Sequence, residues 1–432
     1  VSSHTLTVHD GGARVGTLAY ESLDERFSFE YDASWCARPH AYCISPHIPM
    51  FADPPPSGTL RRFLDNLLPE GRALDVVVTT HKISKNNLYG LIRELGRETA
   101  GALSFTAQAE APNAAETTRR EITRQELAMR IAEREQLPFS VWDGRVRMSI
   151  AGYQDKLAVY LDGEQMFLVE GQLASTHILK PETAENRLPL LVANEHYCMR
   201  LAGRLGLCAA PVTIVRLPAP VLVIERFDRV RTDTGVRRLH IIDACQALNV
   251  PVAYKYERNF GSGRDVQHIR DGVSFERLFS ISEYTVRKAV TQRDLLRWAL
   301  YQYLIGNADA HGKNVSFFCT PEGLSLAPFY DLVSIVPYPG LDHAMAMAYG
   351  DEFVLGDVRP DHWAQFAHNT RTPSALLKRE MRRMGKMAAS EAEAQAEEAV
   401  YDEQERTFLK GIARFVEQQG RKLVEAAEFH AI

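Results

Sequence analysis

Asp309 and Asn314 stand five residues apart in the run Ile305-Gly306-Asn307-Ala308-Asp309-Ala310-His311-Gly312-Lys313-Asn314-Val315. A carboxylate and a carboxamide at that spacing suit phosphoryl transfer. The carboxylate accepts the proton of an attacking hydroxyl, and the amide offers a neutral oxygen to a magnesium ion. Lys313, between them, is a candidate for neutralising charge on the transferring group. Further along, Pro328-Phe329-Tyr330-Asp331-Leu332-Val333 supplies a second oxygen ligand at Asp331. Magnesium takes only one or two protein oxygens alongside phosphates and water, so Asn314 with Asp331 is a sufficient set. The D-x-x-x-x-N spacing by itself recurs by chance, and its weight rests on what surrounds it.

The elements around the loop are those such a site needs. An apolar run from Asp294 to Leu304 predicts a helix leading in, and Val315-Ser316-Phe317-Phe318 predicts a strand leading out. Upstream, Ser149-Ile150-Ala151-Gly152-Tyr153-Gln154-Asp155-Lys156 reads as a hairpin with glycine at its tip, where backbone N–H groups can approach a phosphate. Lys180 ends the next strand, His177-Ile178-Leu179-Lys180, as a fixed positive charge for phosphates. Glu195 flanks the apolar stripe of a helix predicted over Pro189 to Leu205, placed to pair with that lysine. The strand Val221-Leu222-Val223-Ile224 runs into Glu225-Arg226-Phe227-Asp228, a hinge layout in which the Glu225 C=O and Phe227 N–H bind adenine and Asp228 lies near the ribose. Taken singly, each has a bland reading as an ordinary turn, strand end or surface side chain. Together they fall in the order that phosphoryl transfer from ATP requires.

The chain has 432 residues, 45% hydrophobic and 24% charged, with a formal net charge of −5. That composition is globular and gives no overall attraction to nucleic acid. Six scattered cysteines without a C-x-x-C pair point to reduced thiols, not to a disulfide framework or a zinc site. No apolar run reaches membrane-spanning length, and the first residues carry no secretory signal pattern. Expected divisions are a mixed subdomain over 1–106, a linker and short helix over 107–145, an ATP-binding lobe over 146–232 and a helical lobe over 233–432. Asp10-Gly11-Gly12 predicts a hairpin turn, and Leu60 to Leu68 and Leu88 to Leu95 predict helices. Gly96 to Ala102 reads as a helix stop and turn. Residues 240–345 are expected to be dominated by helices, Ala388 to Val400 to form an exposed Ala/Glu-rich helix, and Phe408 to Ala427 an amphipathic one.

These motifs resemble the HipA family, bacterial serine/threonine kinases acting as toxins of toxin–antitoxin pairs. The resemblance is carried by Met148 to Lys156, His177-Ile178-Leu179-Lys180-Pro181, Asn194-Glu195-His196-Tyr197-Cys198, Glu225 to Asp228, Gly306 to Asn314 and Pro328 to Asp331, and runs from about residue 12 to about 365. Phe63 to Glu70 and Glu94 to Glu98 are similar to the family's small first subdomain. The resemblance implies an α+β, protein-kinase-like fold with a small mixed N-terminal subdomain and a mainly α-helical C-terminal domain. It implies Asp309 as catalytic base with Lys313 assisting, and Mg²⁺ on Asn314 and Asp331. ATP would be held by Ala151, Gly152, Tyr153, Gln154, Asp155, Lys156, Lys180, Glu225, Arg226, Phe227, Asp228, His311, Gly312, Lys313, Asn314, Tyr330 and Asp331. It further implies self-inactivating autophosphorylation at Ser149, an aminoacyl-tRNA synthetase as substrate (typically glutamyl-tRNA synthetase), and a HipB-like helix-turn-helix antitoxin that carries the toxin to operator DNA. A cytoplasmic location, beside the nucleoid when bound, follows from the same resemblance. Arg379, Arg382, Arg383 and Lys386 form a local basic run that suits either DNA phosphates or plain solvent. A small-molecule phosphotransferase and a non-catalytic co-repressor are the competing readings. The first would share Asp309, Asn314 and Asp331; the second has no use for them.

Overall fold

The computed structural model describes residues 3–97, 99–107, 117–143, 145–147, 154–171, 173–183, 188–233 and 235–429. Ser149, Ala151, Gly152 and Tyr153 lie outside the described residues. Two compact units are present: Val1–Pro181 with Val215–Val252 and Phe317–Ala327, and Glu182–Ile214 with Ala253–Ser316 and Pro328–Ile432. These do not follow the linear divisions expected above. Ala219–Glu225 joins a six-stranded sheet and Arg229–Thr232, Gly235–Arg238 and Ile241–Asp243 smaller ones, and residues 317–327 belong to the same unit, so distant pieces of chain share it.

The first unit opens on a four-stranded sheet in the order Arg26–Tyr31, Ala13–Glu21, Ser3–Asp10, Leu103–Ala107. The predicted hairpin is there, with Gly11 at φ 55° supplying the left-handed turn. Alternation along the strands buries Leu6, Val8, Leu18, Phe27, Phe29 and Phe105. A six-stranded sheet follows, in the order Val212–Leu217, Ala219–Glu225, His177–Pro181, Leu157–Asp162, Gln165–Val169, Arg119–Ile122. Leu157, Val159, Leu179, Val221 and Val223 share a core with Leu127 and Ile131 of the helix Arg124–Ala132. Lys180 thus sits on an inner strand, opposite Leu222.

In the second unit the helix Lys288–Ile305 is the core element, and every side chain from Trp298 to Ile305 is buried. A helix apolar on all sides is one that others surround. Helices Leu191–Arg204, Ser374–Ala396 and Glu403–Ala426 belong to the same unit. The last two pack very closely: a Cβ at Gly385 would stand 2.5 Å from the Gly420 carbonyl oxygen.

Two sequence expectations are corrected here. The Ala/Glu-rich stretch is not an exposed helix. Ala388, Ala392 and Ala396 are fully buried, because small residues every fourth position admit a neighbouring helix where polarity of composition suggested solvent. Nor is 240–345 dominated by helices. Besides Lys288–Ile305 it holds the short helices Ala244–Ala247 and Phe275–Ser280, some 3₁₀ turns, the strand Ile241–Asp243 and a hairpin, the rest being irregular chain. Helices Gly71–His81 and Pro360–Asn369 went unread.

Candidate active site

The loop after the helix Lys288–Ile305 is built by its own side chains. Gly306 ends the helix in the left-handed conformation at φ 63°, where a Cβ would collide with Val336 at 2.4 Å. Asn307 then ties the turn from inside. Its Nδ2 donates to Gln302 Oε1 at 2.9 Å, and its Oδ1 accepts the Asp309 N–H at 3.1 Å. Gly312–Asn314 forms a 3₁₀ turn whose Gly312 N–H donates to the Lys255 carbonyl at 2.9 Å. Of residues 305–315 only Asp309 is exposed. A buried, internally bonded turn therefore carries one carboxylate out to solvent, as a base that must meet another molecule's hydroxyl requires.

The two residues expected to hold magnesium lie in direct contact. Asn314 Nδ2 donates to Asp331 Oδ2 at 2.9 Å, and the Asn314 Oδ1 accepts the His311 N–H at 3.2 Å. Asp331 is held at φ 58°, a left-handed backbone that aspartate tolerates better than most residues. The chain on either side is pinned. Phe329 exchanges backbone hydrogen bonds with Cys208 and Ala210 at 2.8 Å each, and three residues past Asp331 the Ser334 N–H donates to Asn194 Oδ1 at 3.0 Å. The Tyr330 hydroxyl donates to the Lys313 carbonyl at 2.6 Å and meets Ser316 Oγ at 2.8 Å. Among the described residues no cluster of three or more His, Cys, Asp or Glu could cage a metal. An ion here would rest on Asn314 and Asp331 and complete its shell with water and phosphate, which fits Mg²⁺.

His311 is buried, and burial together with nearby Lys255 and Lys313 pushes its pKa down to about 3 against the pull of Asp331. The ring is neutral at physiological pH, so the charge near the loop comes from lysines and carboxylates. Lys313 is itself buried, at 7% exposed. Glu195 is 1% exposed in the middle of the helix Leu191–Arg204 and is no surface glutamate. A carboxylate so placed must be partnered.

In the first unit, Lys180 is 7% exposed and Lys156 5% exposed. Gln154 Nε2 donates to the Pro181 carbonyl at 3.3 Å, tying the described end of the expected phosphate loop, with Asp155, to the Lys180 strand. Glu225 pairs with His177 across the sheet, and Phe227 lies edge-on to Phe318 with centroids 6.0 Å apart. Arg226 and Asp228 require correction. Asp228 accepts from Arg226 at 3.0 and 2.8 Å, from Arg229 at 2.7 Å and from the Gly101 N–H at 3.1 Å. Arg226 also donates to Ser175 Oγ at 3.0 Å, and its backbone N–H to the Thr176 carbonyl at 2.9 Å. Burial pushes the Asp228 carboxyl up, but the two guanidiniums outweigh it and hold the group well below the usual carboxylate range. Both side chains are thus bonded within the fold, a use that the hinge reading did not expect. Gly101, in the turn expected after the helix Leu88–Leu95, thus gives its N–H to the Asp228 carboxylate.

The basic run near residue 380 is also partly spent inside the chain. Arg383 donates to buried Glu380 at 2.9 Å and to the Leu205 carbonyl at 3.0 Å, and Arg382 to Glu428 at 2.7 Å. Sequence reading missed the parts played by Asn194, Tyr256, Gln302 and Asn307. Tyr256, whose hydroxyl donates to Asp309 Oδ1, left no signal, since it stands 53 residues before its partner in irregular chain.

The chain is similar to known proteins along most of its length. The HipA N-terminal domain matches residues 6–106, and the HipA-like C-terminal domain matches residues 148–396. The chain is 41% identical over 377 residues to the serine/threonine-protein kinase toxin HipA of Shewanella oneidensis, spanning 86% of this chain and 85% of that one. It is 35% identical over 399 residues to a putative kinase of Sinorhizobium fredii, spanning 90% and 91%. A solved complex of HipA, HipB and operator DNA from Shewanella oneidensis contains a chain superposing with a TM-score of 0.88 at 36% identity, over 98% of this chain and all (100%) of that one.

Proposed function

The chain belongs to the HipA family of serine/threonine-protein kinase toxins, and on that premise we propose that it moves the γ-phosphoryl group of Mg²⁺–ATP onto a hydroxyl of a translation enzyme. The observation that carries this is the loop itself: one exposed carboxylate, Asp309, on a buried turn that ends at the Asn314–Asp331 pair. Asp309 takes the proton of the acceptor serine or threonine as its oxygen bonds to phosphorus and the bond to the departing ADP oxygen breaks. Asn314 and Asp331 hold Mg²⁺, which when bound neutralises charge on the phosphates. Lys180 and Lys313 bring fixed positive charge, and residues 151–156 with the backbone at Glu225 and Phe227 hold the nucleotide.

The family resemblance read from the sequence implies an aminoacyl-tRNA synthetase as substrate, and we carry that class, glutamyl-tRNA synthetase first, to this chain. Ser149 is the self-phosphorylation site by the same correspondence. A phosphate there would set negative charge beside Gly152, where it competes with ATP for the same N–H groups. A HipB-like helix-turn-helix antitoxin and, through it, operator DNA are the proposed partners, supported by the likeness to the solved complex of HipA, HipB and operator DNA. Among the described residues no helix is long and apolar enough to cross a membrane. The test is incubation of the purified chain with Mg²⁺, radiolabelled ATP and a panel of aminoacyl-tRNA synthetases, followed by phosphosite mapping. Label on one synthetase and on Ser149 is expected. Label on neither the panel nor the chain would remove the proposal.

A further inference from the structure

We propose that Tyr256 is a positioning residue for the transfer: its phenol, bonded to Asp309 Oδ1, fixes the orientation in which that carboxylate meets the incoming hydroxyl. This rests on the phosphotransferase reading above and adds a residue to it. The hydroxyl of Tyr256 donates to Asp309 Oδ1. An exposed aspartate samples several rotamers, and a hydrogen bond from a fixed donor selects one.

The donor is fixed because the segment bearing it is bolted down on both sides. The Tyr254 carbonyl accepts from Val273 N at 2.8 Å, the Lys255 carbonyl from Gly312 N at 2.9 Å, and the Glu257 carbonyl from Gly272 N at 3.1 Å, while Glu257 N donates to the Ala346 carbonyl at 3.0 Å. Glu257 is buried, and its carboxylate accepts from Arg270 Nε at 2.7 Å and from the Ala348 N–H at 2.8 Å. Gly272 lies so close that a Cβ there would stand 1.7 Å from the Tyr256 carbonyl oxygen. The Lys255 link runs straight into the Gly312–Asn314 turn, so the phenol and the carboxylate it holds share one frame. The Tyr256 ring also stands edge-on to His311, with centroids 4.9 Å apart at 87°, and the Lys255 ammonium lies 5.5 Å from its centroid. None of these ring contacts needs the hydroxyl.

In the transfer, the acceptor oxygen bonds to the γ-phosphorus and its proton passes to the Asp309 carboxylate. The bond from that phosphorus to the bridging oxygen of ADP breaks, ADP leaves with the electron pair, and Asp309 later returns the proton to water. Tyr256 keeps its own proton throughout.

The experiment compares wild type, Tyr256→Phe, Tyr256→Ala and Asp309→Asn for transfer from radiolabelled Mg²⁺–ATP to the chain itself and to dephosphorylated casein. ATP concentration is varied, binding of a non-hydrolysable ATP analogue and melting temperature are measured, and labelled sites are mapped. Tyr256→Phe keeps the ring and removes one hydrogen bond to a charged group, so kcat is expected to fall about tenfold with KM for ATP, analogue affinity and melting temperature unchanged. Tyr256→Ala should lose the same rate and also melt earlier. A Tyr256→Phe kcat equal to wild type overturns the inference, as does a change confined to KM or phosphate found on Tyr256 itself. Absence of transfer by the wild type, or transfer retained by Asp309→Asn, would instead overturn the phosphotransferase reading on which the inference stands.

Discussion

Asp309 and Asp228 are both carboxylates met by donors from distant chain, yet they are put to opposite uses. Asp309 stands exposed on an otherwise buried turn and receives a phenol. Asp228 is buried and receives two guanidiniums and a backbone N–H. A phenol leaves a carboxylate able to take a proton, whereas two arginines at hydrogen-bonding distance make its protonation costly. The difference teaches that a carboxylate's use is read less from its residue type than from its exposure and its donors. In the first unit two guanidiniums hold Asp228 in the charged form and build the fold around Gly101; in the second, Asp309 stands exposed to solvent, as the base we propose must.

Breaking each side of the comparison gives effects of different kind and size. Asp331→Asn, which removes a charged oxygen from the Asn314 pair, should lower Mg²⁺-dependent transfer by about a hundredfold or more with little change in melting; a rate within a few-fold of wild type would take Asp331 out of the metal site. Asp228→Asn strands two buried guanidiniums and should cost about 3–5 kcal/mol of stability at neutral pH, read by denaturant unfolding. The molecules that remain folded should transfer phosphate normally; a selective loss of activity would return Asp228 to the nucleotide. Lys313→Ala should reduce turnover about tenfold while nucleotide affinity changes less, and an unchanged rate would strike it from the catalytic set.

The smallest effect is one of pH. His240 in the first unit and His196 in the second have pKa values pushed down to about 4, in both cases chiefly by burial. Unfolding releases each to an ordinary value near 6.5, so the unfolded chain binds more protons between those limits. Their stabilising contribution is therefore full above about pH 6.5 and is lost as pH falls toward 4. Asp228, held low, adds a loss only at still lower pH, below the ordinary carboxylate pKa. Melting temperature should decline across the first window, and a His240→Gln variant should flatten part of the decline.

How much of this was legible in the sequence depended on the distance a motif spans. Asp309, Lys313 and Asn314 were readable because one turn holds them, and Asp331 because it follows within a short stretch. The turn at Gly96 to Ala102 was read correctly from its glycines, and Gly101 is left-handed at φ 79°. Its partner was not readable, since Asp228 lies 127 residues away. Tyr256 escaped for the same reason, in a segment with no periodicity to flag it. The strands around Lys180 and the helix bearing Glu195 were found from apolar pattern, but that Glu195 is buried depends on packing that no local pattern encodes. Ala388, Ala392 and Ala396 misled because alanine suits both a solvated helix and a tight helix contact, and at Ala388 it is the facing Gly420 that decides between them.

The most direct measurement is the rate of γ-phosphate transfer from Mg²⁺–ATP by wild type and Asp309→Asn, with melting temperature taken on the same samples. Loss of the catalytic base from an exposed site should lower the rate by about a hundredfold or more and leave the melting temperature within about a degree or two. An Asp309→Asn chain that transfers phosphate at the wild-type rate would contradict the account at its centre.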